Sequence, residues 1–283
     1  MSVTARDLSK VQRPAMAGVA WPSVMLFFGL VSVAVINIAL AMSGFVPLWV
    51  GGLVNFVVLY LSAHINHEAT HKNLSGTVAR AHWLNEGIGQ FGSFWLFLPF
   101  PAFRAVHLTH HRVTNDPALD CDMWFAVKHP LSVLLRCCSL LVGYEMTLHR
   151  LVRRGIVPKS VIWETMAQRL GWLALAVALT ALGFGTEVLV LWVLPALAVM
   201  PVLAFLFAYV VHHPHSDQGK LQASNIWLTR QKRLQPLLTG IFLFQNYHLV
   251  HHLYPRVPFY RYGEVYREQQ EKLKSQDAAI KPI

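Results

Sequence analysis

Four apolar runs, near residues 19–43, 46–65, 170–185 and 188–211, restrict this chain to a small set of folds. About 20 consecutive apolar residues cross the hydrocarbon core of a bilayer as a helix. Lipid admits helices because each satisfies its own backbone hydrogen bonds. The third run is short, and reaches spanning length only if Arg169 lays its aliphatic stem along the membrane with its charge in water. The links after the first and third runs are a few residues each and include Gly44, Pro47, Gly185 and Glu187, with no Lys or Arg. The pattern is two membrane hairpins.

Charge supplies their orientation. All 24 Lys and Arg lie elsewhere: 3 up to Arg13, 11 from Lys72 to Arg169 and 10 from Lys220 onward. The positive-inside rule then puts the N-terminus, the central segment and the C-terminus in the cytoplasm. Composition agrees, with 54% hydrophobic and 13% charged residues, against about 25% charged in soluble domains. The first run exceeds the roughly 7–15 apolar residues of a secretion signal, so Ala39-Leu40-Ala41 reads as part of a span. Cys121, Cys137 and Cys138 form no C-x-x-C pair or disulfide framework and suit a reducing compartment.

The expectation is an all-α membrane protein with about four transmembrane helices and a histidine-rich helical cap on the cytoplasmic face. Residues 1–18 form a cytoplasmic segment, 19–262 a single domain and 263–283 a polar, solvated helical tail. Phe91–Pro101 (FGSFWLFLPFP) and Leu131–Val142 (LSVLLRCCSLLV) are apolar but too short to cross, and predict interfacial helices or a lid. No nucleic-acid partner is expected.

The chain has 15 histidines, most of them clustered. His67-Glu-Ala-Thr-His71 is H-E-x-x-H, the zinc-protease pattern in which Glu68 would be the general base. His107-x-x-His110-His111 and His248-x-x-His251-His252 repeat H-x-x-H-H. Spacings of three and four place side chains on one helical face. On the hairpin topology all three clusters meet at one membrane face, with His212-His213-Pro214-His215 after the fourth span. One zinc takes three or four ligands; eight clustered histidines plus one near His212 suit two metals. His82, His129 and His149 read as structural or surface residues, and His64, three residues before the first cluster and on its face, as a helix-end residue, with a metal ligand or a partner of the metal-bound rings as the alternative. Metal-bound imidazoles donate their other N–H to a carboxylate or carbonyl. Glu68, Asp116, Asp120 and Asp122, with Asn115 and Asn246, are the candidate partners.

HEATH, HLTHHRVTNDP and YHLVHHLYPRVPFYRY, in that order, resemble the three histidine boxes of the membrane fatty acid desaturase/hydroxylase family, which includes carotenoid hydroxylases and ketolases. The similarity runs from the second span to Tyr262. It implies a catalytic non-haem centre of two iron ions held by His67, His71, His107, His110, His111, His248, His251 and His252, with His212 as a further ligand. It also implies O2-dependent attack on an unactivated C–H bond of a lipid: fatty acyl desaturation or hydroxylation, with carotenoid hydroxylation or ketolation as the alternative. Such a reaction takes two external electrons. The sequence has no cytochrome b5-like haem box, no cysteine set for a rubredoxin or ferredoxin and no dinucleotide-binding glycine fingerprint. A separate donor is therefore expected, such as a ferredoxin or a cytochrome b5- or rubredoxin-like protein. The form suggests a bacterial inner membrane. An intramembrane zinc protease would leave both H-x-x-H-H clusters unexplained. A metal transporter would hold its sites near the bilayer midplane, not at span ends among Lys and Arg.

Overall fold

The computed structural model describes residues 17–283; all but the last two residues of the expected N-terminal segment lie outside that range. Helix α1 (Trp21–Met42) and helix α2 (Leu48–Thr70) form the first hairpin. Gly44, at φ +79°, turns the chain, and Pro47 caps α2 with a backbone angle already suited to a helix start. α2 runs past the expected span end at residue 65, carrying the first histidine cluster on its last turn.

Ser160–Val210 is a 51-residue helical stretch, which if straight would be roughly 76 Å long, over twice the hydrocarbon thickness. It is not straight. Gly183 adopts φ +96°, and Trp172 and Trp192, on either side of it, both reach the ring of Phe94, at 6.4 and 4.5 Å. The stretch is therefore a second hairpin, with an outgoing arm α7 (Ser160–Leu179) and a return arm α8 of residues 185–210. α7 starts ten residues before the expected 170. Its polar first turns are held by docking: Gln168 Oε1 accepts from the Phe100 backbone N–H at 3.2 Å and Arg169 pairs with Glu145 at 2.6 Å.

A polar clasp ties three of these four arms together inside the apolar layer. Asn37 of α1 donates to Asn55 Oδ1 of α2 at 2.8 Å, and Asn55 donates to the Leu191 carbonyl of α8 at 2.7 Å. Beside it, Gly52 lets the backbones of α2 and α8 close up; a Cβ there would sit 2.7 Å from the Val190 carbonyl oxygen. Such small-residue approaches and interhelical amide bonds hold helices together where lipid gives no hydrophobic drive. The outer faces carry Met25, Phe45, Trp49, Leu170, Leu182 and Leu197, all more than half exposed, as a lipid-facing surface would.

Between the hairpins lie α3 (Trp83–Leu96), α4 (Phe100–Arg112), α5 (Pro130–Cys138) and α6 (Leu140–Arg153). FGSFWLFLPFP, expected as an interfacial helix or a lid, divides into the end of α3, a joint at residues 97–99 and the start of α4. Phe97 sits at φ +51°, Pro99 caps α4, and Leu96 and Phe100 are buried. LSVLLRCCSLLV likewise divides between α5 and α6, which meet at 71°. After α8 come β1 (Ile226–Leu228), α9 (Gln235–Ile241), α10 (His248–Leu253), α11 (Tyr262–Ser275) and β2 (Ile280–Pro282). The C-terminal tail is not a solvated helix. Tyr262, Val265, Tyr266 and Leu273 bury one stripe of α11, and β2 pairs in parallel with β1, Ile280 opposite Ile226.

Gly52→Val should force α8 away from α2 and cost about 1–3 kcal/mol, as overpacking generally does. A thermal midpoint in detergent equal to that of the parent would show that the close approach does not matter.

Candidate metal centre

Each histidine cluster sits where the chain ends a helix against its neighbours. α4 starts with Pro101 in its first turn and finishes with His110, His111 and Arg112 in its last, where the helix dipole favours the Arg112 cation. α10 is six residues long and stops before Pro255. Asn225 holds α10 beside the end of α8: its N–H donates to the Val211 carbonyl at 2.9 Å, and its carbonyl accepts from Leu249 N–H at 3.1 Å.

Nine imidazoles meet there in two groups, His67, His71, His107, His111 and His251 in one, and His110, His212, His248 and His252 in the other. Helical spacing explains the division. His107 and His111, four apart on α4, join the first group while His110 points to the second. On α10 the pattern is mirrored: His248 and His252 join the second group and His251 the first. Of the run after the fourth span, His212 takes part, whereas His213 is exposed and His215, though buried, belongs to neither group. His82, His129 and His149 also lie apart from both groups. His64 lies beside them, its ring 5.5 Å from that of His67 and 4.4 Å from that of Phe259.

Within each group the Nε2 atoms face one another. The first has His67–His251 at 3.0 Å, His251–His111 at 2.8 Å, His111–His107 at 3.1 Å and His71–His107 at 2.9 Å. The second has His110–His252 at 3.2 Å, His252–His248 at 3.1 Å and His248–His212 at 2.9 Å. In the second group the far side of every ring fixes its tautomer. His212 Nδ1 lies 2.9 Å from the Ala223 carbonyl, which can only accept. His110 Nδ1 is 2.7 Å from Asp120 Oδ1 and His248 Nδ1 is 2.5 Å from Gln245 Oε1. His252 Nδ1 lies 3.3 Å from the Thr114 hydroxyl, whose own proton goes to the His110 carbonyl at 2.9 Å. Each Nδ1 therefore donates, and the neutral rings of His212, His248 and His252 turn their Nε2 lone pairs toward one another. Facing lone pairs at about 3 Å repel unless a cation lies among them, so the donor set fits a metal ion.

The electrostatics favour a positive charge at this point. Burial disfavours charging His110, but the carboxylates of Asp120 and Asp122, 2.7 and 3.7 Å from its Nδ1, outweigh it and push its pKa up to about 9. Burial, reinforced by neighbouring imidazoles, pulls His71, His107, His111, His212, His248, His251 and His252 well below the ordinary 6.5, into the neutral form that ligates.

The remaining sequence candidates divide. Asp120 is the carboxylate partner of His110, and Asn115 supports it indirectly: its backbone N–H donates to Asp120 Oδ2 at 2.6 Å and its side chain to the Ala223 carbonyl at 3.0 Å. Asp116 instead caps its own turn, accepting from the Ala118 and Leu119 N–H groups, and Asn246 donates to the Trp227 carbonyl. Glu68 is a structural tie, with Oε1 accepting from Asn73 at 3.0 Å and Oε2 from Phe259 N–H at 3.3 Å. Sequence reasoning missed four partners: Gln245, Thr114, the Ala223 carbonyl, and Tyr262, whose hydroxyl lies 2.8 Å from His251 Nδ1. Gln245 precedes His248 by three residues, a signal open to a search for polar residues near the cluster, whereas Tyr262 comes from a separate helix.

An apolar cavity of about 90 Å³ opens onto both groups, with His67, His107, His110 and His248 in one wall and Leu96, Leu98, Met200, Leu203 and Phe207 among the rest. FGSFWLFLPFP thus contributes to the cavity as well as to the α3–α4 joint.

The family model for fatty acid desaturases matches residues 43–283, from the α1–α2 turn to the C-terminus. The chain belongs to the fatty acid desaturase family. This desaturase-family chain is also similar to a dihydrorhizobitoxine desaturase from Bradyrhizobium elkanii, 26% identical over 220 residues. That match covers 69% of this chain and 60% of the relative's length. The chain thus spans about three fifths of that relative's length, and its long apolar helices are those of an integral membrane protein.

Two outcomes follow from this geometry. Asp120→Asn should lower metal affinity about 10–100-fold, the usual effect of losing a carboxylate behind a ligating histidine, seen as faster metal loss to a chelator. The seven depressed imidazoles add stability that is present above pH 6.5, where the unfolded chain is also neutral, and is lost as pH falls below it. His110 acts in the opposite sense, its share fading as pH rises through about 9. The depressed imidazoles therefore predict that the thermal midpoint of the metal-free protein falls between about pH 7.5 and about pH 5.5; a flat or rising profile would contradict the assignment.

Proposed function

We propose that this protein is an O2-dependent membrane di-iron oxidoreductase that desaturates or hydroxylates a lipid-dissolved chain, most simply a fatty acyl group. The observation that carries the reading is the apolar cavity whose wall contains imidazoles of both groups. His67, His71, His107, His111 and His251 would hold one iron, and His110, His212, His248 and His252 the other. When bound, the pair supplies the oxidising power toward O2 and an unactivated C–H bond that no side chain possesses.

The protein's own residues do the rest. Asp120, Gln245, Thr114 and the Ala223 carbonyl hold the ring protons on Nδ1 and so keep Nε2 available. Leu96, Leu98, Met200, Leu203 and Phe207 exclude water and align a hydrocarbon segment beside the imidazoles. A cavity of about 150 Å³ accepts benzene; one of about 90 Å³ takes a few carbons of a longer molecule. For desaturation the balance is one –CH2–CH2– unit, O2, two electrons and two protons giving –CH=CH– and two waters. The electrons come from a separate donor. Two features support a cytoplasmic site: the clusters lie at span ends, and the Lys and Arg share that side.

His110→Ala and His251→Ala should each abolish product and lower iron below the two per chain expected of the parent. His82→Ala and His129→Ala, on exposed residues, should change neither. Elemental analysis of the purified protein with lipid product analysis checks both; one zinc and no iron in active parent protein would overturn the reading.

A further inference from the structure

A second opening reaches the histidines from outside, and it differs in character from the cavity. It is a groove of about 560 Å³ between α4, the start of α7 and Pro255, and His71 and His111 lie in its lining. It shares no lining residue with the apolar cavity, which meets the first group through His67 and His107. Pro101, Leu108, Val157, Pro158 and Val161 make much of its lining apolar. Its surroundings are cationic. Arg104 and Arg112 line it, and exposed Arg153, Arg154 and Lys159 are close in sequence to Val157–Pro158. Exposed Lys72 follows His71, and exposed Arg256 follows Pro255. Against these seven cations stand Glu164 and Glu86, the latter already paired with Arg104.

We infer that this groove is the docking surface for a small acidic one-electron carrier protein. The inference rests on the oxygenase reading, which needs two electrons per turnover. An apolar lining with Arg and Lys in it and next to it is the anatomy of a protein interface that selects a partner of opposite charge. Here the ligand imidazoles themselves lie at its base: His111 is half-buried. Its ring stacks on that of His252, in the second group, with centroids 4.2 Å apart. An electron delivered at His111 is thus one ring contact from either group, and it arrives without crossing the substrate cavity. Each encounter oxidises the carrier by one electron, and two encounters supply the pair that the reaction consumes.

The test uses the iron-loaded protein in neutral-lipid nanodiscs, with a reduced acidic [2Fe–2S] ferredoxin as the probe. Affinity is read by biolayer interferometry at low and high salt, and carrier oxidation by stopped flow. The double reversal Arg112→Glu/Lys159→Glu should weaken binding and slow carrier oxidation about tenfold or more at low salt, with the difference shrinking as salt rises. Iron content should not change. The control Arg230→Glu/Arg233→Glu, on the exposed loop before α9, should leave affinity within about twofold of the parent. Unaltered ferredoxin affinity in the groove variant, or equal loss in the control, overturns the proposal. So does a groove variant that loses only its binding to anionic-lipid vesicles, since the cations would then serve the membrane. A failure of the oxygenase reading would show separately, as missing iron before any carrier is added.

Discussion

Imidazole lone pairs facing one another at about 3 Å make an arrangement that neutral rings do not hold unaided, and much of this chain is organised around holding it. The second group shows how. His110, His212, His248 and His252 come from three separate segments, and each is turned inward by an acceptor on its far side: a carboxylate, a main-chain carbonyl, a side-chain amide and a hydroxyl. Those acceptors are fixed in turn. Asp120 also receives the Asn115 and Asp122 N–H groups, and Thr114 is anchored by donating to the helix that bears His110. The repulsion among the rings is thus met by a stiff outer layer, which leaves the interior to a cation.

The membrane part serves the same end by fixing where the helices finish. α2 and α8 deliver His67, His71 and His212, and their mutual height is set by Gly52 and by the Asn37–Asn55–Leu191 clasp. Helices free to slide in lipid would misplace the rings by more than a metal–ligand bond tolerates. The two routes to the histidines follow from the same layout. The apolar one is walled by α2, α4 and α8, whereas the charged one lies along α4 and the start of α7.

Much of this was legible in the sequence because hydropathy and helical spacing are strong, local signals. The apolar runs gave the two hairpins, and the spacing of His107, His110 and His111 showed that they share a helix. What stayed hidden depends on long-range contact. Nothing local marks Ala223 as the acceptor for His212, or separates Asp120, which meets His110, from Asp116, which caps a turn. The early start of α7 was masked by Glu164, Gln168 and Arg169, polar residues of which the latter two are satisfied by partners far away in sequence. The C-terminal segment looked solvated because its composition is polar, although Tyr262, Val265, Tyr266 and Leu273 recur at helical intervals. FGSFWLFLPFP read as one element since apolar content does not reveal a left-handed joint at Phe97.

The division of each H-x-x-H-H doublet has one further effect. His110 and His111 are bonded neighbours that turn to different groups, as are His251 and His252. The two groups are therefore built on a common chassis, with α4 and α10 as shared axles. A small rotation of either helix moves rings in both groups at once, in a fixed ratio set by the helical pitch. The spacing between the two groups is in this sense a property of the peptide backbone, locked into adjacent residues, so that changes to the cavity or the groove around it leave the pair's spacing in place.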